Sequence, residues 1–325
     1  MNIYDIAKEA GVSITTVSRV LNGKRNVNAE TRRRVEAVLA KHQYVPSAIA
    51  QGLVSRSMRT VAVLTVDVRI PNYARAAYVI ENECAHRGYN VMMCNTGIVH
   101  SDIMRYWEIL SRRQVDGIIM LGSIYSELID SPSFSGLTQQ TPCVLANGQL
   151  PGCYSVVCDD FAGITAAVEH LIDKGHTHIA YFQDADTDSA RRKVNGYQST
   201  LRRRGLEPYL FQGESSLEGG MDAARRFLED RRGCTAVVCG EDITAAGMVK
   251  QLLQSGLRVP EDIAITGYNA SLYARICEPT LTTVDNRPEM IGLMSSQLLS
   301  SLMNGQTERC ASITVQPALV VGRST

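Results

Sequence analysis

No stretch of this 325-residue chain approaches the roughly 18 consecutive apolar residues that a membrane-spanning helix needs. Met1–Ala10 carries Asp5, Lys8 and Glu9 inside a helical pattern, so a folded start is expected rather than a secretory signal. The nine cysteines are odd in number, scattered, and form no C-x-x-C pair. A disulfide framework and a thiolate metal site are therefore not expected, and reduced thiols of a cytoplasmic protein are. No G-x-G-x-x-G follows the first strand, and neither a G-x-S-x-G elbow nor a Walker loop is present. A nucleotide-dependent oxidoreductase, a hydrolase and a kinase each lack their machinery, so no enzymatic activity and no cofactor are expected. Tryptophan occurs once, at Trp107, and is expected to pack in a core. His176 and His178 are two histidines alone, which seldom hold a metal. Asp184, Asp186 and Asp188 imitate an acidic cation loop but lack its glycine and final glutamate, so a solvated loop is expected.

Net charge is also lacking over the whole chain, yet its distribution is uneven. Residues 1–60 hold ten lysines and arginines against four acids, and the remainder carries the compensating acidic surplus. A basic module that touches a polyanion, joined to an acidic body that does not, is the simplest reading. Within the module, Asn2 and Asp5 form a capping box before Ile3, Ile6, Ala7 and Ala10 at helical spacing. Gly11 suits the left-handed residue that ends a helix, and Ser13 can cap the next one. Two helices joined by about three residues cross steeply, as in a helix-turn-helix.

The second helix divides its chemistry sharply. At about 100° per residue, and with Ile14 set to zero, Ser18, Asn22, Thr15 and Arg19 fall between about 40° and 140°. Val20, Val17 and Leu21 fall between about 240° and 340°. Hydroxyl, amide and guanidinium groups thus share one face, where they suit base edges and phosphates. Asn28 caps a third helix over AETRRRVEAVLAKHQY, with Val35, Val38 and Leu39 as its inward stripe. A solvated face remains the alternative for the pattern alone.

Residues 3–22, IYDIAKEAGVSITTVSRVLN, resemble the DNA-binding headpiece of the lactose-repressor (LacI/GalR) family. The resemblance implies base reading by Ile14, Thr15 and Arg19. It implies phosphate contacts from Tyr4, Thr16, Ser18, Asn22 and Tyr44. The following PSAIAQGLVSRSMR would form a helix of about two turns containing Gly52, marginal in water by itself. By the same resemblance Leu53 is a minor-groove wedge, with Ala48, Ile49 and Ala50 packing beside it. Val54 stands where relatives often carry Lys or Arg, which removes one groove contact.

From Thr60 onward, Val- and Ile-rich strands such as TVAVLTV, DGIIML, PCVLAN and TAVVCG alternate with helical patterns such as AGITAAVEHLIDKG. The expected class is α/β with parallel sheets covered on both faces, in two lobes with a ligand between them at the strand carboxyl ends. Further family matches span the body: Asp67–Pro71, Asp116–Ile119, Asp159–Gly163, Glu169–His176, Gly256–Asp262 and Leu281–Val284. The resemblance implies a headpiece over 1–45, a hinge over 46–59 and a periplasmic-binding-protein-like body over 60–325. One lobe would take 60–158 and 289–315, the other 159–288 and 316–325. Effector positions carry over to Ile70, Asn72, Tyr73, Asn147, Asp159, Arg191, Lys193, Glu241 and Asn269. Several depart from the common pattern: Lys193 replaces an arginine and loses its planar fork, Glu241 replaces an amide, and Asn269 replaces an aspartate.

The expectation is a regulator, read as a repressor, on a pseudo-palindromic duplex as a homodimer. Its effector would be a sugar, sugar phosphate or nucleoside-like molecule. No heptad tail follows the last strand, so a coiled-coil tetramer is not expected. A solute-binding protein without a DNA role is the alternative.

Overall fold

The structure, a computed structural model, describes residues 2–21, 23, 26–44, 57–130, 138, 140–150, 153–306 and 312–325, with only the backbone of 127–130. It divides into two compact units, Met1–Arg59 and Thr60–Thr325.

The first unit holds α1 (Ile3–Ala10), α2 (Ile14–Leu21) and α3 (Ala29–Lys41). Asn2 accepts from the Tyr4 and Asp5 amides at 2.9 and 3.1 Å, and Asp5 accepts from the Asn2 amide at 2.9 Å, closing the capping box. Gly11 ends α1 at φ 63°, a conformation costly for any side chain with a Cβ. Ser13 Oγ accepts from the Thr16 amide at 3.2 Å, and Asn28 caps α3. Ile6, Ala7, Ala10, Val17, Val20 and Val35 form the core. Glu9 ties α1 to α3 by accepting from Lys41 at 2.8 Å and contacting His42 at 2.7 Å.

The second unit is built from two lobes. β1 (Thr60–Thr65), α4 (Pro71–His86), β2 (Asn90–Asn95), α5 (His100–Arg113), β3 (Gly117–Leu121), a 3-10 segment (Ser123–Asp130), β4 (Cys143–Ala146) and β5 (Tyr154–Cys158) come first. Next are α6 (Asp160–Asp173), β6 (Ile179–Gln183), α7 (Asp188–Arg203), β7 (Tyr209–Gln212), α8 (Leu217–Glu229) and β8 (Ala236–Cys239). α9 (Asp242–Gln254), β9 (Ala264–Tyr268), α10 (Leu272–Ile276), β10 (Thr282–Asp285), α11 (Pro288–Met303), β11 (Ser312–Val315) and β12 (Ala318–Val320) complete it. One sheet runs β11-β5-β4-β3-β1-β2 and the other β12-β10-β9-β8-β6-β7. Among the described residues all pairings are parallel except β10 with β12.

Each sheet has an apolar cluster on both faces, which is why its central strands read as unbroken aliphatic runs. Trp107 is buried among Leu64, Ile103 and Ile118, as expected. The described cysteines carry no disulfide, and burial pushes the Cys84 and Cys153 thiols up to about 11, which keeps them protonated and inert.

The backbone passes between lobes three times: from β5 to α6, from β10 to α11, and from β11 to β12. Arg75 in α4 adds a side-chain link. It pairs with Glu289 at 2.6 Å and donates to the Asn269 and Ala270 carbonyls at 3.2 and 3.4 Å.

Candidate DNA interface and effector cleft

In the headpiece, Val17 and Val20 are buried while Ile14, Thr15 and Arg19 are exposed, Ile14 at 39 %. The aliphatic side of α2 is anchored, so its hydrogen-bonding side faces outward. Tyr4 is exposed at 65 %. Thr16 and Ser18 are half-buried, and the Thr16 hydroxyl lies 2.9 Å from that of Ser13. Tyr44 packs against the headpiece core, with part of its ring exposed. Asn22 and the hinge positions Ala48, Ile49, Ala50 and Leu53 lie outside the described residues.

In the body, a cleft of about 720 Å³ lies between the lobes. Two strand ends form corresponding parts of its walls. Asn147 follows β4 at φ 61° and its amide donates to Val156 of β5 at 2.7 Å. Asn269 follows β9 at φ 100° and its amide donates to Val284 of β10, also at 2.7 Å. Asparagine tolerates such left-handed backbone better than most residues, and it brings both amide side chains to strand carboxyl ends.

Ile70, Asn72, Tyr73, Asn147, Lys193, Glu241 and Asn269 all line this cleft. Tyr73 reaches its place because Gly122 lacks a side chain: a Cβ there would lie 2.9 Å from the Tyr73 hydroxyl. Asp159 and Arg191 do not line the cleft. The Asp159 carboxylate accepts from the Ala162 amide at 3.0 Å and caps α6. Arg191 is exposed and pairs with Asp186 at 3.0 Å. Two residues along a helix are about 200° apart, so Arg191 and Lys193 cannot face one ligand together.

The structure adds lining residues that sequence reasoning missed, among them Asp184, Asp242, Ser271 and Asn286. Asp184 is not part of a solvated loop. It is 8 % exposed and accepts from the Thr244 hydroxyl at 2.9 Å. Asp186 and Asp188 instead pair with Arg191 and Arg192.

The floor is a hydrogen-bonded set. Lys193 donates to the Gly240 carbonyl at 2.8 Å, lies 3.7 Å from Glu241 and sits 3.9 Å from the Tyr268 ring centroid. Asn286 donates to Asn269 at 3.0 Å, and Asn269 donates to Glu241. Beneath it, the fully buried Asp160 accepts from Tyr268 at 2.8 Å, Ser189 at 2.7 Å and Arg192 at 3.0 Å.

Desolvation dominates the acids. It pushes Glu241 up to about 8, opposed by Lys193 and reinforced by Asp184, Asp242 and Asp160. Burial raises Asp242 to about 6 against hydrogen bonds from Thr283 and Ser271, and it raises Asp184 against Lys193. A carboxyl whose folded pKa exceeds its unfolded value loses stabilisation as pH climbs between the two. For Glu241 that window runs from its ordinary 4.5 to about 8. The melting temperature of the ligand-free protein should therefore fall between pH 6 and 8 relative to Glu241→Gln. His170 and His176, both lowered by burial, are common to the two proteins and cancel. Parallel melting curves across that range would contradict the assignment.

Comparison with known proteins agrees with this architecture. Residues 2–47 match the family described as bacterial regulatory proteins, lacI family, and residues 168–325 match a periplasmic binding protein-like domain. An HTH-type transcriptional regulator of Lachnoclostridium phytofermentans is 33 % identical over 312 residues, 94 % of each chain. The structure of the lac repressor dimer bound to operator and the anti-inducer ONPF superposes with TM-score 0.88, at 26 % identity, over 100 % of this chain and 98 % of that one. The complex of the transcriptional regulator CelR with cellobiose superposes with TM-score 0.75, at 27 % identity, over all of both chains. With a lacI-type headpiece on a two-lobed ligand-binding body, this chain belongs to the LacI family of DNA-binding transcriptional regulators, and is neither an enzyme nor a simple carrier of solutes.

Proposed function

We propose that this regulator represses transcription as a cytoplasmic homodimer on a pseudo-palindromic operator, under control of a polar small molecule held between its lobes. The observation that carries the reading is the two-sided helix α2, with Val17 and Val20 buried and Thr15 and Arg19 exposed. Arg19 can grip guanine O6 and N7 with two hydrogen bonds, Thr15 can serve either role, and Ile14 offers an apolar contact to a thymine methyl. Tyr4, Thr16, Ser18, Asn22 and the exposed edge of Tyr44 then hold phosphates and set the register. Two headpieces reading half-sites in successive major grooves require a dimer, and the similar lac repressor was seen as a dimer on its operator.

The domain roles follow. The first 45 residues read DNA. Residues 46–59, with Leu53 as wedge and Ala48, Ile49 and Ala50 beside it, fold when held against the minor groove. The body binds the effector. A ligand that alters the angle between the two sheets moves Thr60, the start of β1, and with it the anchor of a hinge that is marginal alone. Coupling is reciprocal, so operator DNA changes effector affinity by the factor by which effector changes operator affinity.

Arg19→Ala tests the reading. It should cost about 1–3 kcal/mol in operator binding and blur one base position, as read by binding to a library of single-base operator variants. Equal weakening on every sequence would make Arg19 a phosphate contact and remove it from the base-reading set.

A further inference from the structure

Resting on the reading of the cleft as the effector site, we infer that it selects a polyhydroxylated ligand without a phosphate or carboxylate, and rejects the anionic derivative of the same molecule. The argument is a balance of donors and acceptors. Among the described residues the two cations that line the cleft, Lys193 and Arg69, are already committed. Lys193, 6 % exposed, donates down to the Gly240 carbonyl, lies beside Glu241 and packs on the Tyr268 ring. Arg69 is held by both carboxylate oxygens of Asp67, at 2.6–3.0 Å. Arg75, which bridges the lobes and does not line the cleft, is likewise taken by Glu289 and two carbonyls.

What remains open is of the other kind. The buried side-chain oxygens Oδ1 of Asn72, Asn147 and Asn286 line the cleft without a partner. Asn286 is 2 % exposed, and its Nδ2 is spent on the relay through Asn269 to Glu241, which leaves its oxygen for a ligand. The Ser271 hydroxyl, 6 % exposed, is also unpartnered. Asp184, Glu241 and Asp242 add carboxyls from one wall. A buried acceptor left unmade is costly, so this wall calls for hydroxyl or ammonium donors. A phosphate or carboxylate brings acceptors to a wall of acceptors, finds neither Lys193 nor Arg69 uncommitted, and meets the Asp242 carboxylate, ionised above about 6, so like charge opposes it.

The test uses the full-length chain and matched pairs: pentoses, hexoses, disaccharides, hexitols and nucleosides, each beside its monophosphate or its acid. Melting temperature and operator retention are both read. The inference expects at least one uncharged member to shift both, with its anionic partner at least ~100-fold weaker. Read above pH 8, where Glu241 is ionised, removing the two flanking carboxyls in Asp184→Asn/Glu241→Gln should narrow that gap for the same pair. An anionic member binding as tightly as its parent, with the shift lost in Lys193→Met, overturns the inference and leaves the effector site standing. If no member of either set moves either readout, the effector-site reading itself falls, and the inference with it.

Discussion

Val17→Asp should abolish specific operator binding while leaving the melting of the 60–325 unit and its effector affinity unchanged. Val17 has no exposure and sits among Ile6, Ala7, Ala10, Val20 and Val35. None of those side chains can pair with a carboxylate, so the aspartate must stay buried without a partner or leave. A unit of this size draws only about 3–5 kcal/mol from its core, which one unpaired charge exhausts. Only Met1–Arg59 shares that core, so the body keeps its own. Anisotropy on an operator duplex should lose at least ~100-fold in affinity, an estimate from that lost stability. Scanning calorimetry should retain the main transition. Operator affinity within tenfold of wild type would mean that α2 does not depend on this anchor.

The second large effect is expected at Asp160, beside the crossover from β5 to α6. Its carboxylate is fully buried and receives Tyr268, Ser189 and Arg192 together. Asp160→Ala leaves Arg192 with Asp188 as its remaining carboxylate partner and strips the Tyr268 hydroxyl of its carboxylate acceptor. Three hydrogen bonds to one buried carboxylate are lost together, which should cost about 3–5 kcal/mol even though Arg192, 23 % exposed, keeps Asp188. The Tyr268 ring also carries the Lys193 ammonium, so effector affinity should drop along with stability. Tyr268→Phe keeps the ring and loses only a hydroxyl bond, about 1–1.5 kcal/mol. Chemical denaturation of the three proteins should rank them wild type, Tyr268→Phe, Asp160→Ala. Equal stability of Asp160→Ala and wild type would show that the three contacts do not act as a unit.

Much of the fold was legible because its central strands are buried on both faces. Runs such as Gly117–Leu121 and Ala236–Cys239 therefore leave an unbroken aliphatic trace. β7 and β12 lie at sheet edges and are only partly buried, which lets polar and exposed residues interrupt the pattern. The headpiece read clearly because caps, turn and amphipathic spacing all sit within a few residues of one another. The cleft did not. Asp184, Asp186 and Asp188 look alike in sequence, yet only Asp184 stands buried at the end of β6, while Asp186 lines the cleft from an exposed position and Asp188 is not among its lining residues. Asp159 and Asp160 are neighbours with separate tasks, one capping a helix and the other holding a half-buried arginine. Helical geometry alone would have separated Arg191 from Lys193. No local signal could have found Arg75, because its partners lie about 200 residues away.

Binding of the full-length protein to genomic fragments, set against random duplex of equal length at moderate salt and repeated with each candidate effector, tests the account most directly. The account predicts a subset of fragments bound at least ~1,000-fold more tightly than random DNA, sharing a two-fold symmetric sequence, with that preference changed by one uncharged polyhydroxylated compound. Equal affinity for every fragment under all conditions would contradict it.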